Sequence, residues 1–267
     1  MSERKKIDYD HKSISQINEY SMCARHYYYH RVVGSFMPPY FKPTSGKLLH
    51  DGLEAHNKER VRGRKGLTTS QVLEVAVTGL EQMENVADLD LPLGKAKDQL
   101  VLDGTPPVGR YLGITERVFG EVPVSEDDVE RFMEFEFDGH KFVGYADLVL
   151  PSRILDYKLV GRRKSAKEVL IDPQLHLYTH TLKKPASFVQ LVRGKEVAEH
   201  TPQPEDERVA SGVLGWIADT AKAIDTSKET GVWPRCSPGH WKCSKGYCPF
   251  YNRCWPRKKE APDTKQD

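Results

Sequence analysis

Gly144-Tyr145-Ala146-Asp147-Leu148-Val149 and, after a short break, Ile154-Leu155-Asp156-Tyr157-Lys158 form the stretch that decides the fold. Both runs are rich in Val, Ile, Leu and Tyr, which suit a pleated, half-buried surface. Pro151-Ser152-Arg153 between them reads as a tight turn. Side chains alternate faces along a strand, so Asp156 and Lys158, two apart, point the same way. A hairpin brings Asp147 beside them. Two carboxylates and an ammonium then converge within apolar strands, where burial without a purpose is costly. Two hard oxygen ligands suit Mg²⁺ or Mn²⁺. Such an ion lowers the pKa of a bound water and neutralises charge on a phosphodiester. Lys158 can orient that water or stabilise a pentacovalent transition state. Alone, an Asp-x-Lys triplet reads equally well as an ion pair at a strand end, so its flanks carry the weight.

Working outward, Asp138-Gly139 is a two-residue hairpin signal between an aromatic strand, Phe132 to Phe137, and a strand from Lys141 to Leu150. The strand pattern is expected from Ile114 onward. On the other side, Asp172-Pro173 gives a cap followed by proline at the first helical position, opening a helix to about Lys183. Phe188 to Val192 reads as a short strand and Asp206 to Ile224 as an amphipathic helix. Near the N-terminus, Ser13 and Gln16 form a capping box for a helix that carries Ile14, Ile17 and Tyr20 and ends near Cys23. After the Pro38-Pro39 and Pro43 loop, a helix is expected from Ser45, bearing Leu48, Leu49, Gly52, Leu53 and His56. Another is expected to be capped by Thr68, Thr69 or Ser70. Repeated Gly and Pro leave residues 87 to 112 without a clear element. The resulting organisation is a disordered segment 1–12, a helical part 13–112, a core 113–230, a cysteine-rich segment 231–256 and a disordered tail 257–267. The fold class is α/β, with a central mixed sheet flanked by helices.

The 267 residues allow one large domain or a domain with an appendage, and 38% hydrophobic with 29% charged content fits a globular protein. The net charge of +2 means that any nucleic acid must meet a local basic surface. No apolar run approaches a membrane span, and the polar Met1 to Lys12 lacks the core of a signal peptide, so a cytoplasmic protein is expected. In a reducing compartment, Cys23, Cys236, Cys243, Cys248 and Cys254 point to metal rather than disulfides.

Two flanking features bear on the acidic strands. His50, in Gly46-x-x-x-His50, can offer a metal a nitrogen. Gln174 and Tyr178, four apart, share a helix face. There Gln174 can hold Lys158 or a water, and Tyr178 can touch a phosphate. His176 and His180 lie about 200° around that helix from Gln174 and read as surface residues. Glu116 is a further carboxylate on the strand expected there.

Taken in order, Ser13-x-Ser15-Gln16-Ile17, Cys23-x-Arg25, Gly46-x-x-x-His50, Gly144-x-x-Asp147, Asp156-Tyr157-Lys158, Asp172-Pro173-Gln174-x-x-x-Tyr178 and a C-terminal cysteine cluster resemble the RecB-family nucleases of the PD-(D/E)XK superfamily. The resemblance implies metal binding by Asp147, Asp156 and the Tyr157 backbone carbonyl, with His50 completing the shell and Lys158 catalytic. Leu159 departs from it, since the family often has Thr or Ser there. The implied activity is hydrolysis of DNA, exonucleolytic and on single-stranded or frayed ends, with a recombination or CRISPR-adaptation protein as possible partner. The alternatives are a nuclease that trims DNA for an integrase and a non-catalytic, metal-stapled DNA-binding module.

Cys243, Cys248 and Cys254 follow a C-x4-C-x5-C spacing. Zinc on Cys236, Cys243, Cys248 and Cys254 is the local reading. Family relatives bearing one N-terminal and three C-terminal cysteines instead imply a [4Fe–4S] cluster on Cys23, Cys243, Cys248 and Cys254, with Cys236 left out. Arg25, Arg31, Arg162, Arg163 and Lys164 are candidate contacts to the DNA backbone. Tyr27-Tyr28-Tyr29 either stacks bases or packs against the cluster.

Overall fold

In the computed structural model the elements run α1 (Ile14–Met22), α2 (Ala24–Tyr27), a π-helical turn (Tyr28–Val32), α3 (Phe41–Val61), α4 (Thr69–Glu81), α5 (Leu93–Val118), β1 (Val129–Phe137), β2 (His140–Val149), β3 (Ile154–Val160), α6 (Ala166–Leu170), α7 (Pro173–Leu182), β4 (Ala186–Val192), β5 (Ala198–Pro202), α8 (Glu207–Thr230) and α9 (Tyr251–Cys254). The structure describes residues 11–37, 39–118 and 121–255, by backbone alone at 114–118 and 199. The expectations for 1–10 and for the tail 257–267 lie outside these. His11 and Lys12, expected to belong to a disordered segment, are instead held: Lys12 bridges Phe142 of β2, and its carbonyl accepts from the Val143 N–H at 2.8 Å.

The chain divides into two compact units, one of Met1–Ile14 and Pro38–Ala218, the other of Ser15–Met37 and Asp219–Asp267. The first contains a five-stranded sheet in the order β1-β2-β3-β4-β5. Only β3 and β4 are parallel; every other pair is antiparallel. A parallel pair needs a crossover, and α6 and α7 provide it. The fold is therefore α/β with a mixed sheet between helical layers. Leu148, Leu155, Tyr157, Val189 and Leu191 pack on one face against Leu48, Leu49, Leu53, Val72, Leu100 and Tyr111 of α3, α4 and α5. Ala146, Val149, Ile154 and Phe188 pack on the other against Val169, Leu175 and Tyr178 of α6 and α7.

Local chemistry accounts for the boundaries. Asp138 and Gly139 both take positive φ, 49° and 73°, as the two-residue hairpin demands. Thr68 caps α4 in a capping box with Gln71, and Asp172 accepts from Gln174 N to cap α7. Three expectations need correction. α3 begins at Phe41 rather than Ser45, because Pro43 falls in the first turn, where a missing N–H costs nothing. Residues 93–118 are one helix despite Pro106 and Pro107, so Glu116 is helical and the strand expected from Ile114 starts only at Val129. α8 extends to Thr230 rather than ending at Ile224.

The second unit has an aromatic centre. Buried Trp233 stacks on Tyr27 (5.9 Å, 19°) and meets Tyr20 and Tyr28, while Tyr29 and His26 pack on Phe250. The tyrosine run thus serves packing. Glu19, in α1, accepts from His26, His30 and Arg31 at 3.1, 2.6 and 2.8 Å. No described helix is long and apolar enough to cross a membrane.

Candidate active site

Regular alternation fails at one point in β2. Ala146 and Val149 both belong to the α7 side of the sheet, and Leu148 and Leu150 to the α3 side. The phase slips at Asp147. The β2–β3 ladder runs only through Leu148↔Leu155 and Val149↔Ile154, after which the strands part. The Tyr157 N–H, left without a ladder carbonyl, donates to Asp147 Oδ2 at 2.6 Å. Buried N–H groups must find a partner, so the splay and the buried carboxylate explain one another.

Side chains from both helical layers reach this gap. His50 Nδ1 of α3 lies 3.3 Å from Asp147 Oδ1. On the α7 side, Lys158 Nζ is 2.7 Å from Asp156 Oδ2 and donates to Gln174 Oε1 at 3.0 Å. The Gln174 amide donates to Asp156 Oδ1 at 2.7 Å and to the Tyr178 hydroxyl at 3.0 Å. Tyr178 donates onward to the Tyr145 carbonyl at 2.6 Å. Asp156 Oδ2 is buried, and its partner among the described residues is the Lys158 ammonium at 2.7 Å. An acceptor in that state suits a cation.

Glu130 of β1 was not foreseen. One ligand atom each from His50, Glu130 and Asp147 lie within 4.8 Å of one another. Glu130 carries a positive φ of 51°, and its neighbours Val129 and Arg131 pair with Leu148 and Ala146, which brings it opposite Asp147. Its sequence setting, Ser125-Glu126-Asp127-Asp128-Val129-Glu130, gives no signal of this.

The electrostatics are those of crowded carboxylates. Burial and then the Asp147 charge push Glu130 up to about 7. Burial also pushes Asp156 up to about 6, against the pull of Lys158 and with the push of Asp147. Burial acts the same way on Asp147, but His50 and Lys158 outweigh it and hold its carboxyl below the usual range. His50 rises to about 9: burial opposes its charge, and Asp147 more than compensates. Perturbed groups of opposite sign meeting at a strand gap single out a candidate functional site. Three carboxylates and an imidazole make a donor set that fits a hard divalent cation. A cavity of about 430 Å³ lined by His56, Arg60, Lys65 and Leu67 lies further along α3 and contains none of these acids.

A sequence profile of the PD-(D/E)XK nuclease superfamily matches residues 11–255. The chain belongs to that superfamily. Among solved structures, a candidate exonuclease from Eubacterium rectale shares the fold at a TM-score of 0.56 and 12% identity, over 98% of this chain and 95% of that one. The SSO0001 protein aligns at a TM-score of 0.41 and 13% identity, over 95% and 89%. No curated protein is significantly similar to this chain.

Other sequence candidates of this PD-(D/E)XK chain fall elsewhere. His176, expected at the surface, is buried with Nε2 against the Leu170 carbonyl at 2.6 Å; the turn joining α6 to α7 folds back over it. His180 is exposed. Tyr157 turns its hydroxyl inward to Tyr111 and Asn57, at 2.6 and 3.1 Å. In the loop after β3, Arg162 forks onto Glu168 at 3.0 and 2.8 Å, and Lys164 pairs with Asp172 at 2.7 Å over the Phe188 ring. Arg163 is exposed. Arg25 donates to the Trp233 carbonyl within the second unit, where Arg31 is paired with Glu19.

The five cysteines of the second unit are all free and half-buried. The Cys236 N–H donates to Cys23 Sγ at 3.4 Å. Burial and the neighbouring sulfurs of Cys23 and Cys243 push the Cys236 thiol up to about 12. Cys248 and Cys254 are raised by burial and by the charges of Cys23, Cys243 and, for Cys248, Cys254. Cys23 thus lies among sulfurs more than 200 positions along the chain, and one of these belongs to Cys236, which sequence reasoning set aside. The set offers more thiolates than a soft tetrahedral metal or an iron–sulfur cluster needs, and fits either.

Proposed function

We propose that this superfamily member is a deoxyribonuclease that hydrolyses phosphodiesters with Mg²⁺ or Mn²⁺, acting from single-stranded or frayed ends. The observation that carries the reading is the meeting of Asp147, Asp156 and Lys158 where β2 and β3 part, 2.7 Å separating Lys158 Nζ from Asp156 Oδ2. Asp147, Asp156 and the Tyr157 carbonyl would hold the cation, with His50 and Glu130 beside them. When bound, the cation supplies Lewis acidity to the phosphodiester and to the attacking water. The protein's own part is positional. Gln174 and Asp156 fix the Lys158 ammonium, so positive charge stands ready where phosphoryl charge develops, without reorganisation at the moment of reaction. Tyr178, whose hydroxyl is committed to the Tyr145 carbonyl, acts by holding β2 rather than by touching phosphate.

End-labelled single and double strands with Mn²⁺, Mg²⁺ or EDTA test this. Asp147→Ala and Asp156→Ala should fold and not cleave. Lys158→Ala should bind metal and DNA normally and lose about 100-fold or more in turnover. Metal-dependent cleavage by both aspartate variants, with contaminating nucleases excluded, would sink the proposal.

We propose further that Cys23, Cys243, Cys248 and Cys254 hold a [4Fe–4S] cluster, zinc on the C-terminal four being the competing centre. Family resemblance supports the first. The closeness of Cys236 to Cys23 is compatible with both.

A further inference from the structure

Residues 231–255 contain Arg235, Lys242, Lys245 and Arg253 and neither aspartate nor glutamate. Of their large aromatics, Tyr251 is half-buried and Trp255 is covered by Arg235, 5.0 Å from its ring; the other four divide in two. Trp233 and Phe250 turn inward, 4% and 2% exposed, whereas Trp241 and Tyr247 are 62% and 66% exposed. The outward pair touch each other, ring centroids 5.5 Å apart at 82°. His240 stacks on Trp241 at 5.8 Å and 30°, and Lys242 Nζ stands 5.2 Å from the Trp241 ring. Tight turns fix the arrangement, with Cys243 N–H donating to His240 O at 2.7 Å and Cys248 N–H to Ser244 O at 2.9 Å. The rings therefore sit on hydrogen-bonded turns between thiols.

Two adjoining exposed aromatics in an acid-free, cationic segment match one class of ligand: a polyanion that also presents flat apolar faces. We infer that Trp241 and Tyr247 form a stacking platform for unpaired bases of single-stranded DNA, with Lys242 and Lys245 meeting the adjoining phosphates. A duplex hides its base faces, so the platform selects strands that are already open. The inference rests on the nuclease reading for its choice of DNA and deepens it by naming a contact outside the carboxylate site.

The experiment measures anisotropy of a labelled oligothymidylate of about 20 nucleotides with the full chain, purified with its thiol-bound metal, in a Lys158→Ala background. A double variant, Trp241→Ala with Tyr247→Ala, should bind about tenfold or more weakly while keeping its melting temperature. Its affinity for an abasic strand of equal length should match the parent's, since no bases remain to stack. Trp241→Phe with Tyr247→Phe should restore most of the loss. Lys242→Ala with Lys245→Ala should weaken both strands and lessen the salt dependence. Unchanged oligothymidylate binding by the double alanine variant, as for a protein-docking patch, would overturn the inference, and so would equal loss on the abasic strand. Cleavage by the chain with Lys158 intact reports separately on the nuclease reading: loss of the stacking effect with cleavage retained refutes the platform alone.

Discussion

Glu130 holds a left-handed φ of 51° inside a strand, a conformation that costs about 1–3 kcal/mol and persists where the surroundings over-determine it. Here it turns the carboxylate towards Asp147 and His50. If that is a ligand position, Glu130→Gln should raise the Mg²⁺ or Mn²⁺ concentration for half-maximal cleavage by about tenfold and leave the fold intact. An unchanged metal titration would return Glu130 to a bystander role. Residue for residue, strand alternation put Asp156 and Lys158 on one face and helical spacing put Gln174 with Tyr178, whereas Asp147, where alternation slips, was read from the hairpin, and His50 from its motif within the family resemblance. Glu130 could not be picked out, since its approach depends on a backbone distortion with no compositional signature. Glu19 offers a second test at this scale. Burial opposes its charge, but His26 and Arg31 prevail and hold it at about 2, and its side chain is only 13% exposed. A depressed folded pKa contributes stability that is present above the unfolded value near 4.5 and lost as pH falls towards 2. The stability gap between the parent and Glu19→Gln, read from urea melts, should therefore be full at pH 6 and close across that window. A gap constant with pH would remove Glu19 as the titrating group.

Helix α3 shows how an element is both legible and deceptive. Its glycines look alike in sequence, yet a Cβ at Gly46 would meet nothing within 4 Å, whereas one at Gly52 would fall 2.5 Å from the Val72 carbonyl oxygen of α4. Gly46→Ala should be neutral or stabilising by up to ~1 kcal/mol, the helix-propensity gain. Gly52→Ala should cost about 1–3 kcal/mol of overpacking, lowering the melting temperature by about 5 °C. Equal melting temperatures would mean that α3 and α4 are not packed as described. The hairpin at Asp138-Gly139 was readable from its turn chemistry, and strand β3 from its run of apolar residues, buried on both faces from Ile154 to Tyr157. α5 was not. Gly104, Pro106, Pro107 and Gly109 read as breakers, but Gly104 lies against Leu49 and Leu73, and burial of Leu100, Val108 and Tyr111 outweighs local propensity. On α7, His176→Ala should lower stability, not spare it, because its ring is buried against Leu170.

At the scale of the whole molecule, the second unit is assembled from two segments that flank residues 38–218 of the first, so its cohesion requires the closing of that long loop. Apolar packing supplies part of this through Trp233 and Phe250 with the tyrosine run. A centre held by thiols from both segments adds binding free energy that is folding free energy, since the unfolded chain has no preformed site. The two candidate centres then rank the cysteines differently. With [4Fe–4S] on Cys23, Cys243, Cys248 and Cys254, anaerobically purified protein should be brown. Cys23→Ser and Cys248→Ser should each lower the melting temperature by about 10 °C, because either opens the same loop, and Cys236→Ser should keep the colour and the backbone N–H contact to Cys23. With zinc on the C-terminal four, the protein is colourless, Cys236→Ser loses metal and Cys23→Ser keeps it. Colour, metal content and the three melting temperatures decide between the two. A colourless protein with zinc bound and a Cys23→Ser variant as stable as the parent would refute the iron–sulfur assignment, and would leave aromatic packing as the main tie between the two segments.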